Sequence, residues 1–413
     1  MWTAGMNNPR PLKRFAVSLG PTRVGTLFQK GDWTSFELNE TYVADRRHPI
    51  LGLRFEERQT KPYSSSLRLP PWFSNLLPES PMREWIASGR GVSIDREMEI
   101  LAQVGSDLPG AVTVQEEVAT AADDKRRIDD ESAPPAPLWD FSLAGVALKF
   151  SMLQRGDRLT LSTRTEGGQW ILKTPDPKFR NVPLNEYAMM RLASLCGIKT
   201  PQTRLITRDE VESLPNGVWH QDENRAFLVE RFDRRPDGSR IHVEDFLQIL
   251  DRYPETKYLG SFENVAALAY RARDVDALVE FARRLTLNVL IGNGDAHYKN
   301  WSLIYNDPEM PTLSPVYDIV ATSAYFAPGA EDLGLKLAKD RRIEHARIWH
   351  LGMIASRLGV EQGLLMDASR EVISRAAESW AAIADLLSED VALMESIRES
   401  ITVRSASFLS SGA

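Results

Sequence analysis

Gly294-Asp295-Ala296-His297-Tyr298-Lys299-Asn300 is followed by Pro315-Val316-Tyr317-Asp318-Ile319. The two runs supply an aspartate, an asparagine five residues on, and a second aspartate eighteen further. Those residue types suit phosphoryl transfer. A carboxylate such as Asp295 can accept the proton of an attacking hydroxyl, and Asn300 and Asp318 are hard oxygen ligands suited to Mg²⁺. Taken alone, the Asp295/Asn300 pair reads equally well as an ordinary loop, because both side chains bond to nearby backbone in turns.

Several elements upstream could position this chemistry. The Asp-x-x-x-x-Asn spacing is that of a protein-kinase catalytic loop, with Asp318 in the place of the metal-binding aspartate. Trp170-Ile171-Leu172-Lys173 follows the turn Glu166-Gly167-Gly168 and predicts a strand ending in a lysine. Kinases place a phosphate-contacting lysine on such a strand, although a strand-end lysine in solvent fits the same residues. A helix is predicted from about Asn185 to Cys196, with Asn185 as N-cap and Gly197 as stop. Ala188, Leu192 and Leu195 share one face. Glu186 then sits in the first turn, where it either favours the helix dipole or pairs with Lys173. Phe227 to Phe232 is a second apolar run that reads as a buried strand or as a hinge between lobes. In a hinge, Glu230 and Phe232 would meet adenine through backbone groups. Phe141 to Lys149 contains a small-residue turn whose backbone N–H groups could face phosphates.

These motifs, in this order, resemble those of the HipA family, bacterial serine/threonine kinases that are the toxins of toxin–antitoxin pairs. Trp72-Phe73-Ser74-Asn75-Leu76-Leu77-Pro78-Glu79 is similar to the family's N-terminal signature. Leu101 to Gly105 with Pro109 to Val112, Ser142-Leu143-Ala144-Gly145, Asn185-Glu186-Tyr187 and Val229 to Arg234 follow in register, then the two runs above. The resemblance covers about residues 13 to 340. It implies ATP and Mg²⁺ as cofactors, Asp295 as catalytic base, and Asn300 and Asp318 as metal ligands. It also implies an ATP site drawn from Ala144, Gly145, Lys149, Lys173, Glu230, Phe232, His297, Lys299, Asn300 and Asp318. Ser142 would be an autophosphorylation site, since a phosphate there would be repelled from a site built for ATP phosphates. Ser151, Thr160, Ser162 and Thr163 are other hydroxyls near that loop. The implied partners are a HipB-like helix-turn-helix antitoxin, DNA only through it, and a protein substrate such as an aminoacyl-tRNA synthetase. Val146-Ala147-Leu148 departs from the family by replacing a polar position with apolar ones. His297 stands where most kinases carry a lysine, and is expected to brace the loop by hydrogen bonds.

The implied fold is α+β: a two-lobed, protein-kinase-like fold with a mostly β N-terminal subdomain and an all-helical C-terminal lobe. The expected division is residues 1–115, a flexible acidic and proline-rich linker at 116–137, an ATP-binding lobe at 138–235 and a helical lobe at 236–413. Helix-like segments are expected near Met82–Ser88, Asp95–Val104, Asn264–Ala272 and Val275–Leu290, with a helical tail from Ile343 to Phe408. Across 413 residues, 43% are hydrophobic and 26% charged, as in a soluble globular protein. No apolar run reaches the roughly 18 residues of a membrane helix. Met1 to Arg14 lacks a signal-peptide core, and the single cysteine, Cys196, excludes a disulfide framework. A cytoplasmic protein that does not contact membranes is expected. The net charge of −7 makes the chain a poor binder of nucleic acid by itself. Two local basic patches, Arg231/Arg234/Arg235 and Lys339/Arg341/Arg342, are the remaining candidates. A small-molecule phosphotransferase of the aminoglycoside or choline kinase type, or an inactive antitoxin-binding pseudokinase, would share the catalytic-loop pattern.

Overall fold

The computed structural model describes residues 11–57, 63–80, 82–117, 148–156, 158–161, 167–212, 214, 217–219, 222–327, 329–330 and 332–410. Strands β1 (Leu12–Leu19), β2 (Thr22–Lys30), β3 (Trp33–Leu38), β4 (Tyr63–Ser66) and β5 (Val112–Glu116) form an antiparallel sheet in the order β4-β3-β2-β1-β5. The period of two is plain in β1, where Phe15, Val17 and Leu19 are buried. Gly20 opens the hairpin at φ +57°, a left-handed conformation that costs glycine little. Glu116 closes β5 and Glu117 pairs with Arg14 and Arg23, so the acidic segment begins inside this sheet. Residues 118–147 lie outside the described residues.

A second sheet is built from β6 (Lys149–Arg155), β7 (Arg158–Leu161), β8 (Trp170–Lys173), β9 (Thr203–Thr207), β10 (Val211–Glu212) and β11 (Arg225–Glu230). Its order is β10-β7-β6-β8-β11-β9. Strand β11 is buried on both faces. Ala226 and Leu228 enter the core shared with the first sheet, whereas Phe227 and Val229 enter a core shared with helices. That double burial explains its unbroken apolar run. The helix Val182–Leu195 packs on the second face and begins three residues earlier than expected. Pro183 suits a first helical turn, having no N–H to satisfy. Asn185 is therefore not the cap. It is buried, and its amide exchanges hydrogen bonds with the N–H (3.0 Å) and carbonyl (3.1 Å) of Ala321.

The C-terminal part is helical at its end and also carries small sheets. Strands β12 (His242–Asp245), β13 (Ser302–Tyr305) and β14 (Thr312–Leu313) form one, and β15 (Asp332–Leu337) with β16 (Asp340–Arg342) another. The lobe is therefore not all-helical as expected: β12 and β13 pair across a long connection, which helical periodicity cannot reveal, and β15 and β16 form a tight hairpin. The helix Phe262–Ala269 starts two residues early at its Ser261 cap. It ends before Ala272 and Arg273, which are left-handed. The helix Val275–Ile291 is capped by Asp274, which accepts from the Ala277 N–H at 2.9 Å, and it ends at Gly292 with φ +70°. A side chain at Gly292 would also meet Arg404 and Ser323, so the turn into the catalytic loop requires glycine. Cys196 is buried, as expected. No helix among the described residues is long and apolar enough to cross a membrane.

The N-terminal subdomain is joined to both lobes by buried polar contacts. Arg231 and Arg234, expected as a surface patch, are withdrawn from solvent. They pair with Asp233 and with Asp107 of the N-terminal subdomain. A guanidinium fork facing two carboxylates satisfies its donors better there than on the surface. On the other side, the fully buried Glu244 accepts from the Trp72 indole (2.7 Å), the Leu53 N–H (3.2 Å) and the Tyr305 hydroxyl (2.8 Å).

Burial pushes the Glu244 carboxyl up to about 7, against the pull of its three donors. Nearby His242 is pushed down to about 4, again by burial. The signs oppose. Folded Glu244 keeps a proton that the unfolded chain has released, so its contribution is full below about pH 4.5 and lost as pH rises to 7. The contribution of His242 is full above about pH 6.5 and lost as pH falls to 4. Glu244→Gln removes the first effect, so its stability relative to wild type should rise by about 3 kcal/mol between pH 4.5 and 7.5. Chemical melts across that range test this. A difference independent of pH would refute it.

Candidate active site

The site begins with two lysines side by side. Lys149 and Lys173 are direct partners across β6 and β8, a like-charge pairing that is unfavourable unless anions meet it. Two carboxylates do. The Lys173 ammonium contacts both Glu186 and Asp318, and the Lys149 ammonium reaches the other Asp318 oxygen at 3.0 Å. Glu186 is buried in the helix Val182–Leu195, in its second turn rather than its first, so its role is the ion pair and not the helix dipole. Partial burial tends to raise the Asp318 carboxyl, but the Lys149 and Lys173 ammoniums outweigh it and hold it well below the usual carboxylate range. Burial and Asp318 push Glu186 upward while Lys173 opposes them.

Asp318 has φ +56°, a strained conformation that aspartate tolerates better than most residues. Its neighbours hold it there. Val316 and Ile319 are buried, and the Val316 N–H donates to the Lys199 carbonyl at 2.8 Å. The Tyr317 hydroxyl donates to the Lys299 carbonyl at 2.8 Å, tying this segment to the catalytic loop.

The catalytic loop is fixed mainly by its own backbone. The Asp295 N–H donates to the Asn293 side chain at 3.0 Å, and Asn293 in turn bonds Asn288 in the preceding helix. The Asp295 carbonyl accepts from the His297 N–H and from the Asn300 amide, both at 2.8 Å. That leaves the Asp295 carboxylate half exposed. With its nitrogen spent on Asp295, Asn300 keeps its side-chain oxygen as a ligand. Asn300 and Asp318 line one pocket together with Asn288 and Asn293. Among the described residues no cluster of three or more His, Cys, Asp or Glu could enclose a metal by itself. Two oxygen donors on an open pocket do fit Mg²⁺, which fills its remaining positions with phosphate and water.

Other residues of the expected ATP site are placed as follows. Glu230 ends β11 and donates its N–H to the Gln202 carbonyl at 2.9 Å. The Phe232 ring stands 5.8 Å from that of Tyr317, which connects the segment after β11 to the segment that carries Asp318. His297 braces the loop through its backbone rather than its side chain. Nε2 is 3.6 Å from Asp295 Oδ1, and Nδ1 has no hydrogen-bond partner among the described residues. Burial keeps this imidazole below the usual histidine range, against the pull of Asp295. Lys299 is engaged elsewhere. Its ammonium donates to the Asn75 carbonyl (2.9 Å) and pairs with Asp245 (3.2 Å), joining the catalytic loop to the N-terminal subdomain. Ser142, Ala144 and Gly145 lie outside the described residues.

Three partners of the site have no signal in the sequence spacing. Tyr258 donates its hydroxyl to Asp295. Asn75 lay in a recognised motif without an assigned role. Glu79 binds Lys257 at 2.7 Å beside the loop. Each lies far along the chain from what it touches, so only the folded structure reveals it.

Lys299→Met should cost about 2–4 kcal/mol of stability, because it leaves the half-buried Asp245 unpaired. Because the Lys299 ammonium is occupied by protein groups, nucleotide affinity is expected to stay within about two-fold. Melting and nucleotide titration check both. A selective loss of affinity would return Lys299 to the nucleotide site.

Comparison with known proteins identifies the family and the fold. Residues 15–115 match the HipA N-terminal domain and residues 141–380 the HipA-like C-terminal domain. A Sinorhizobium fredii relative named "Putative kinase Y4dM" is 37% identical over 360 residues, covering 84% of this chain and 86% of its own. The serine/threonine-protein kinase toxin HipA of Shewanella oneidensis is 26% identical, covering 77% and 78%. Among solved structures, HipA of Shewanella oneidensis, in complex with HipB and its operator DNA, superposes with a TM-score of 0.74 at 21% identity. That superposition covers 95% of this chain and 97% of the other, and shows a shared fold. With both family domains matched in order across most of its length, this chain belongs to the HipA family.

Proposed function

We propose that this chain is an ATP- and Mg²⁺-dependent protein serine/threonine kinase acting as the toxin of a HipBA-like pair. The observation that carries the reading is the Lys173 ammonium held between Glu186 and Asp318. An ordinary surface lysine gains little from such an arrangement. A lysine that must meet phosphates is oriented by it.

In this reading Asp295 orients the acceptor hydroxyl and takes its proton as the oxygen attacks the γ-phosphorus. The new O–P bond forms in line with the breaking bond to the β–γ bridging oxygen, and ADP leaves. Lys173 and Lys149 offset the charge on the phosphates, and Asn300 and Asp318 would hold Mg²⁺. The metal would neutralise charge that develops on the phosphoryl oxygens. The Glu230–Phe232 segment would face adenine. Among the described residues the Phe232 N–H takes part in no backbone hydrogen bond, which suits a donor kept for a base.

The finer parts of the reading rest on the family. They are a cytoplasmic location, autophosphorylation of Ser142 as an off-switch, and a helix-turn-helix antitoxin through which DNA is met. An aminoacyl-tRNA synthetase is the proposed substrate, with growth arrest as the outcome. The division at 1–115, 116–137, 138–235 and 236–413 is kept as part of this proposal.

Intact-mass and peptide mass spectrometry of wild type and Asp295→Asn, after incubation with Mg²⁺ and ATP, tests the core of it. Phosphate on Ser142 in wild type alone is the expected result. Phosphate on neither protein, with ATP still bound, would overturn the protein-kinase reading.

A further inference from the structure

The backbone of Asp295 is fixed on both sides, but a carboxylate also needs its last torsion set, and that torsion is intrinsically broad. In this site one contact sets it. The Tyr258 hydroxyl donates to Oδ1, and His297 Nε2 faces the same oxygen at 3.6 Å. Oδ2 has no hydrogen-bond partner among the described residues, on a side chain that is half exposed. A phenol–carboxylate hydrogen bond is charge-assisted, and therefore short and directional.

Tyr258 is itself firmly held. Its ring stands edge-on to His297, with centroids 4.9 Å apart, and the Arg341 guanidinium lies 5.9 Å from its centre. The turn that carries it is fastened to the catalytic loop through the buried Tyr298. The Tyr298 N–H donates to the Lys257 carbonyl at 3.2 Å, and the Tyr298 hydroxyl accepts from the Ser261 N–H at 3.2 Å. A Cβ on Gly260 would lie 2.1 Å from the Tyr298 ring, so the turn sits directly on that side chain. A residue anchored to the loop it serves is suited to orient that loop's carboxylate, and poorly suited to swing away as a gate.

We propose that Tyr258 is a positioning residue for phosphotransfer: its hydroxyl pins Oδ1 of Asp295 so that Oδ2 is turned to the acceptor hydroxyl. The assignment rests on the kinase reading above. Single-turnover transfer of labelled γ-phosphate from ATP to the chain itself, at saturating Mg²⁺ and ATP, tests it in wild type, Tyr258→Phe, Asp295→Asn and the double variant. Tyr258→Phe keeps the ring and removes only the donor. It should slow transfer about 10- to 100-fold, while the KM for ATP changes less than about two-fold. The slow residual transfer that Asp295→Asn retains, below detection by mass but read by the label over long incubation, should fall no further when Tyr258→Phe is added, because the two residues act as a unit. A Tyr258→Phe variant as fast as or faster than wild type would overturn the assignment. So would a loss that persists in the Asp295→Asn background, which is the mark of a merely structural role. Wild type that transfers no phosphate while binding ATP would instead overturn the kinase reading, and this assignment with it.

Discussion

The Lys173 ammonium, shared by Glu186 and Asp318, is the contact on which the rest of the site depends. Its partners lie 13 and 145 residues away in sequence. One charge therefore couples the second sheet, the helix behind it and the Asp318 segment of the C-terminal lobe. Withdrawing Lys173 and Glu186 from solvent, with Asp318 partly covered beside them, is costly unless each charge is met. The cluster resolves this by alternation, with two ammoniums from adjacent strands facing two carboxylates from other elements. Moving any of the three elements would leave a charge unpaired, so the relative placement of the lobes and the geometry of the site are one constraint.

The N-terminal subdomain belongs to the same constraint. Asp107 holds the hinge arginines Arg231 and Arg234, Asn75 holds Lys299 of the catalytic loop, and Trp72 and Leu53 hold Glu244 beneath it. These contacts reach both walls of the proposed nucleotide cleft. Their cooperative character means that losing one partner strands the others in a low-dielectric setting. The first sheet also shares a continuous apolar core with the second. The subdomain thus acts as structural backing for the kinase body, and its contacts with catalytic segments are direct.

Local and distant constraints divide the work at the catalytic loop. Short-range backbone bonds among Asn293, Asp295, His297 and Asn300 shape the loop, as its spacing requires. Long-range contacts aim it. Tyr317 fastens it to the Asp318 segment, and Tyr258 reaches its aspartate.

The sequence by itself determined the family and the order of the parts. Asp295, Asn300 and Asp318 are legible as candidates because the proposed roles demand particular residue types at short spacings. The strand before Lys173 and the helix Val275–Ile291 are legible because burial imposes a period on the chain. The starts of two other helices, Val182–Leu195 and Phe262–Ala269, shifted where a proline or a cap competed with the apolar pattern, as at Pro183 and Ser261. Only the tertiary structure decided which charges meet. The sequence does not show that Lys299 faces Asn75 and Asp245, that Arg231 and Arg234 are buried, or that Tyr258 touches Asp295. The contacts of Tyr258 with Asp295, Arg231 with Asp107 and Lys299 with Asn75 join residues 37, 124 and 224 positions apart. They are set by how whole elements pack, and no local pattern of residues encodes that.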